Sequence, residues 1–131
     1  MMLAHLTELC AATDVPVNAD FEGGYADDPA GVARNVKLCV ATGVAGLSIE
    51  DSTGDQATPL YEFALAVERI HAARKAIDDS GTGVVLTGRS EGFIAGRPDL
   101  AETIRRLVAY AEAGADCLYA PGVRAMSDIS A

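Results

Sequence analysis

The feature that most constrains the fold of this chain is a repeating unit: a short apolar run ending in polar residues, then a longer segment with helical spacing. The runs are Val15-Pro16-Val17-Asn18-Ala19-Asp20, Gly46-Leu47-Ser48-Ile49-Glu50-Asp51, Gly83-Val84-Val85-Leu86-Thr87-Gly88-Arg89 and Ala115-Asp116-Cys117-Leu118-Tyr119-Ala120. Near-continuous apolar runs of this length suit strands buried on both faces, as a parallel sheet requires. Between them, Pro29 to Thr42 places Val32, Val36 and Cys39 or Val40 on one stripe, with Gly43 as a stop. Pro59 to about Asp79 repeats the pattern through Phe63, Val67, Ile70 and Ile77, with charges on much of its other face. Pro98 to Ala113 does so through Leu100, Ile104, Leu107, Val108 and Ala111, ending at Gly114. Met1 to Thr13 reads as an amphipathic helix, and a short segment follows Gly122. Strands alternating with helices in this way predict right-handed βαβ units and a parallel sheet.

Open doubly wound sheets and closed barrels both satisfy that pattern. Polar clusters follow each of the first three strands, and a barrel gathers its strand ends around one mouth, whereas an open sheet joins only neighbours. Gly23-Gly24 leads into a loop without the G-x-G-x-x-G or Lys-Ser/Thr pattern of a phosphate fingerprint. The expected fold is therefore α/β, a parallel barrel of the TIM type. A complete barrel takes roughly 250 residues, so residues 1–131 are read as one partial domain of about four consecutive βα units. A half barrel exposes two sheet edges and an apolar interior. Pairing with another copy, completion by the remaining strands, or truncation are the three expectations.

Composition narrows the partners. A net charge of −9, with ten scattered Lys and Arg residues, argues against a nucleic-acid partner, which needs clustered basic side chains. No apolar run is long enough to span a bilayer, and no basic region precedes the first helix. Cys10, Cys39 and Cys117 are odd in number, far apart and set in apolar stretches, which predicts buried thiols and a cytoplasmic protein.

The chemistry sits at the strand ends. Asp20 and Glu22 lie two residues apart as the first strand runs out, so in extended geometry they point the same way. Glu50 ends the next strand, about 5 Å away in a parallel pair. Three carboxylates in one pocket would repel without a cation, and oxygen-only ligands favour Mg²⁺ or Mn²⁺. The plainer alternative is that these acids cap helices or face water. Arg89 ends the third strand, where it either holds a substrate carboxylate bidentately or pairs structurally with Glu91 or Glu50. His5 and His71 lack neighbouring ligands and read as surface or packing residues. Lys37 and Lys75 lie in helical segments, which disfavours an aldolase with a Schiff-base lysine on a strand.

These residues resemble a known family. Asn18-Ala19-Asp20-Phe21-Glu22-Gly23-Gly24-Tyr25, Gly46-Leu47-Ser48-Ile49-Glu50-Asp51-Ser52 and Thr87-Gly88-Arg89-Ser90-Glu91-Gly92-Phe93-Ile94-Ala95-Gly96 resemble motifs of the isocitrate lyase/phosphoenolpyruvate mutase superfamily. Tyr110-Ala111-Glu112-Ala113-Gly114-Ala115-Asp116 is similar to its approach to the sixth strand. The resemblance runs in order over nearly the whole chain and implies the third to sixth strands of a (β/α)₈ barrel that commonly forms tetramers. It implies that Asp20, Glu22 and Glu50 hold Mg²⁺ directly or through water. It also implies that Arg89 is the catalytic, substrate-binding arginine for a carboxylate or phosphonate, with Asp20 beside the substrate.

Two departures matter. Glu22 stands where the family usually has aspartate, and is longer by one methylene. Asp51-Ser52-Thr53-Gly54-Asp55-Gln56-Ala57-Thr58-Pro59 replaces the Lys-Arg/Lys-Cys-Gly-His loop of isocitrate and methylisocitrate lyases, which points to the phosphoenolpyruvate mutase-like branch. The implied function is a magnesium-dependent lyase or mutase. It would act on a small anionic substrate, a 2-oxo acid or phosphonate, through an enolate-type intermediate in C–C or P–C bond chemistry. The second reading is a catalytically inactive truncated barrel that only binds metal or assembles with a partner.

Overall fold

The computed structural model describes residues 3–130. Its elements run α1 (Leu3–Ala12), β1 (Asn18–Asp20), α2 (Pro29–Val40), β2 (Gly46–Glu50), α3 (Phe63–Ser80), β3 (Val85–Arg89), α4 (Leu100–Ala113), β4 (Cys117–Tyr119) and α5 (Met126–Ile129). All three strand pairings are parallel, and the sheet order is β1-β2-β3-β4, the sequence order. This is the expected run of strand–helix units, with β1 and β4 as its two edges.

Local chemistry sets most boundaries. α2 begins where the Asp28 carboxylate accepts from the Gly31 N–H and Pro29 supplies a pre-set first turn. Asp99 caps α4 in the same way through the Glu102 N–H. α4 ends at Gly114, whose φ of 117° suits a residue without Cβ. A Cβ there would also clash with Arg74 Cγ, so its absence lets Arg74 of α3 lie close to the backbone. From that position Arg74 donates to the Gly114 carbonyl and the Asp116 carboxylate.

The largest boundary difference from the sequence expectation is at the start of α3. α3 starts at Phe63 rather than Pro59, because Ser52 and Leu60 form an antiparallel bridge that closes the chain after β2 into a loop. The Thr53 N–H donates to the Pro59 carbonyl and the Tyr61 N–H to the Asp51 carbonyl, both at 2.9 Å. Glu62 then caps α3 through the Ala64 and Leu65 N–H groups.

The core lies between the sheet and its helices. Val32, Val36 and Cys39 of α2 pack with Ala66, Ile70, Ala73 and Ile77 of α3 over Leu47, Ile49 and Leu86. Each fully buried Val, Leu or Ile side chain contributes about 1.5–3 kcal/mol relative to exposure. Only β2 is buried nearly throughout, however; β1 and β3 alternate and all of β4 is exposed. The expectation of strands covered on both faces is thus corrected for three of the four, since the described residues supply helices on one side only. α4 departs further: it buries Thr103, Arg106 and Tyr110, while Ile104 and Val108 of its apolar stripe are exposed. The thiols are free, but only Cys39 is buried and Cys117 is exposed, because β4 is an edge. Burial and the neighbouring Cys10 push the Cys39 thiol up to about 11. His5 and His71 are exposed. Among the described residues no helix is long and apolar enough to cross a membrane.

Candidate active site

Parallel register places Glu50, Arg89 and Tyr119 side by side at the C-terminal ends of β2, β3 and β4. Beyond β1, the Glu22 carbonyl accepts from the Glu50 N–H at 2.9 Å, which brings Glu22 level with that row. Arg89 is the centre of the arrangement. It meets Asp20 at 3.1 Å, Glu91 at 2.6 Å and Glu50 at 3.8 Å, and its guanidinium carbon lies 5.5 Å from the centroid of the Tyr119 ring. Burial opposes its charge, but Glu91, Asp20 and Glu50 outweigh that and raise its pKa.

One guanidinium faces three carboxylates, and Glu50 registers the imbalance. Burial and the Glu91 carboxylate push its carboxyl up to about 7, against the opposing pull of Arg89. The folded state therefore binds a proton that the unfolded chain releases near pH 4.5. Glu50 favours folding most strongly below that pH, and the contribution is lost as pH rises through about 7. Replacing Glu50 with glutamine removes this titration. After discount for partial exposure, Glu50→Gln should gain about 1–2 kcal/mol over the parent near pH 8. The gain should shrink to nothing toward pH 4.5, as read by urea denaturation at both ends.

Glu22 is not where extended geometry would put it. The strand stops at Asp20, and a turn closed by Phe21 carbonyl and Gly24 N–H gives Glu22 a φ of 53°. The expected convergence of Asp20, Glu22 and Glu50 is not seen in this arrangement: among the described residues no three acidic, histidine or cysteine side chains form a ligand cluster. Asp20 and Glu50 instead turn to Arg89; its contacts with Glu50 and Glu91 are the structural pairings weighed for that arginine, and the contact with Asp20 is additional. Glu22 and Glu50 both line an open cleft of about 450 Å³ with Tyr25, Asp27, Ser52 and Tyr61. The donor set still suits a hard divalent cation. It is all oxygen and, with Asp20, Glu50 and Glu91 around the single Arg89 guanidinium, carries more negative than positive charge.

Two buried groups behind this row escape local sequence reading. Asp51, 2% exposed, accepts from the Glu91 N–H at 2.8 Å, Arg106 Nη1 at 3.1 Å and the Tyr110 hydroxyl at 2.6 Å. It thereby ties the Arg89 partner Glu91 to α4. Arg69 of α3 donates to backbone carbonyls of the loop after β1. The available signal is periodicity: positions 66, 69, 70, 73, 76 and 77 form one inward stripe, and Arg69 lies on it.

A parallel strand–helix sheet with an arginine held among carboxylates at its strand ends defines four units of a (β/α) barrel with an ionic mouth. The family model described as phosphoenolpyruvate phosphomutase matches residues 1–131. The chain belongs to that family, within the isocitrate lyase/phosphoenolpyruvate mutase superfamily. It is 30% identical over 131 residues to an oxaloacetate decarboxylase of Bradyrhizobium diazoefficiens, covering 96% of this chain and 44% of that protein. The crystal structure of a candidate lyase/mutase from Burkholderia cenocepacia J2315 is 46% identical, with a TM-score of 0.95 over 98% of this chain and 46% of that one. A phosphonopyruvate hydrolase crystallised with oxalate and Mg²⁺ is 27% identical, with a TM-score of 0.84 over 98% of this chain and 44% of that one. The chain spans less than half the length of these relatives.

Proposed function

We propose that this chain carries the central strand-end portion of a magnesium-dependent lyase or mutase site for a small 2-oxo acid or phosphonate. The observation that carries the reading is the row of Asp20, Glu50, Arg89 and Glu91 at the mouth of a sheet whose relatives include a decarboxylase and a Mg²⁺-complexed hydrolase. Asp20, Glu22 and Glu50 would hold Mg²⁺ or Mn²⁺, which when bound supplies Lewis-acid polarisation of the 2-oxo group and stabilises enolate charge.

Arg89 orients the other anionic end of the substrate. Its planar fork matches a carboxylate or phosphonate, and Glu91, with a side chain 6% exposed, fixes the fork from the buried side. Asp20, with a side chain 66% exposed, is the partner that a substrate anion displaces most readily, since an exposed ion pair is worth only about 0–1 kcal/mol. Asp20, released from Arg89, would be one of the residues that hold the cation, beside the substrate region. The Asp51–Pro59 loop contains neither cysteine nor histidine, so Cys-based acid–base chemistry has no carrier there. A second copy or further strands of the same barrel would pair with β1 and β4 and wall the cleft.

A calorimetric Mn²⁺ titration tests the reading, with Glu50→Gln as control. Saturable binding in the parent, weakened about 10- to 100-fold in the variant, supports it. A parent without saturable binding rejects the metal role and favours the non-catalytic reading.

A further inference from the structure

The largest fully buried side chain in the structure is an arginine. Arg69 is 1% exposed, and among the described residues no carboxylate lies within ion-pair distance of it. Taking a guanidinium out of water without a counter-ion costs several kcal/mol unless its donors are used. Four of its five N–H donors go to main-chain carbonyls. Nε donates to Asp27 at 3.0 Å, Nη1 to Glu50 at 3.2 Å, and Nη2 to Ala26 at 2.7 Å and to Gly23. The Tyr61 ring lies 4.0 Å from its guanidinium carbon, and the Tyr61 hydroxyl donates to the Asp27 carboxylate at 2.6 Å.

The segment it holds is strained. Glu22, Gly24 and Tyr25 have φ values of 53°, 76° and 56°, and left-handed backbone at a non-glycine residue costs of order 1 kcal/mol or more. Such a run persists only where surrounding contacts over-determine it. The outcome is an arc whose carbonyls turn inward to one guanidinium while Glu22, Tyr25 and Asp27 line the cleft. The fourth carbonyl belongs to Glu50, whose side chain lines the same cleft from β2.

We propose that Arg69 is a positioning residue: it clamps residues 23–27 to the end of β2 and so sets the spacing of Glu22, Asp27 and Glu50 across the cleft. Its consequence for cation affinity rests on the function proposed above; its consequence for loop order does not. The test uses the full chain as Arg69→Met and Arg69→Lys, with backbone hydrogen exchange and Mn²⁺ titration. In Arg69→Met, exchange over residues 22–27 should rise about 100-fold, while residues 47–49 of β2 and 86–89 of β3 change far less. Mn²⁺ affinity should fall about 10-fold or more, and Arg69→Lys, which keeps the charge with fewer donors, should recover part of both effects. Equal acceleration in loop and strands, or none in the loop, would overturn the proposal. If Arg69→Met does not fold, the exchange pattern of Arg69→Lys decides by the same criterion. If the parent binds no Mn²⁺, the metal reading fails and hydrogen exchange alone still decides the role of Arg69.

Discussion

Replacing Asp51 with alanine should lower the unfolding free energy by about 3–5 kcal/mol, a large share of the total for an ordinary domain. The two carboxylate oxygens serve three donors from two elements: the Glu91 N–H after β3, and Arg106 and Tyr110 on α4. Without them, Arg106, with a side chain 8% exposed, keeps the partly exposed Glu102 at 3.0 Å and the Tyr61 carbonyl at 2.8 Å, and must share its charge between them. Tyr110, whose hydroxyl is held un-ionised by burial and by Asp51, loses its only acceptor among the described residues. Asp51→Asn keeps the shape and one acceptor, so it should cost about half as much. Urea denaturation of both variants measures this. A loss below about 1 kcal/mol for Asp51→Ala would mean that the charge on Arg106 is satisfied without Asp51.

The second large effect is expected at Arg89. In Arg89→Met the buried Glu91 and half-buried Glu50 lose their shared cation, which should cost about 2–4 kcal/mol near pH 8, somewhat less than a fully buried broken pair. Arg89 is the neighbour that pulls the Glu50 carboxyl down, so its removal raises that group further above 4.5. The sign follows: the variant binds more protons folded than unfolded, so it loses stability as pH rises and recovers it on acidification. Glu91→Gln added to Arg89→Met should restore much of the loss, and the double-mutant cycle isolates the pair. On the function proposed above, the same substitution in a completed barrel should reduce kcat/KM about 100-fold or more through loss of anion orientation. Retained kcat/KM would remove Arg89 from the substrate site.

Much of this architecture is legible because it is written locally. The α2 stripe of Val32, Val36, Cys39 and Val40, and the Gly114 stop, follow from side-chain period and backbone freedom alone. So does the alignment of Glu50 with Arg89, since each ends an apolar run and parallel register places such ends together. The buried arginines escape local reading because their partners lie 40 or more residues away in the chain. Asp51, the acceptor for Arg106 of α4, lies 55 residues upstream. Gly23, Ala26 and Asp27, whose carbonyls accept from Arg69, lie 42 to 46 residues upstream. Glu22 had a local warning in Gly23-Gly24, which marks a turn rather than a continuing strand.

The clasp between Ser52 and Leu60 also bears on how such a mouth changes over evolution. Within the clasp, Thr53, Asp55, Ala57 and Thr58 bond chiefly to one another, and residues 54–58 are exposed. Ser52, Thr53 and Gly54 nevertheless face the cleft. The stretch is therefore a cassette: its residues can be exchanged wholesale, and a different set of reactive groups presented, without re-registering β2 or displacing the first turn of α3. A scaffold built this way can present different chemistry by changes at a few exposed positions, while the ionic row beneath them keeps its register.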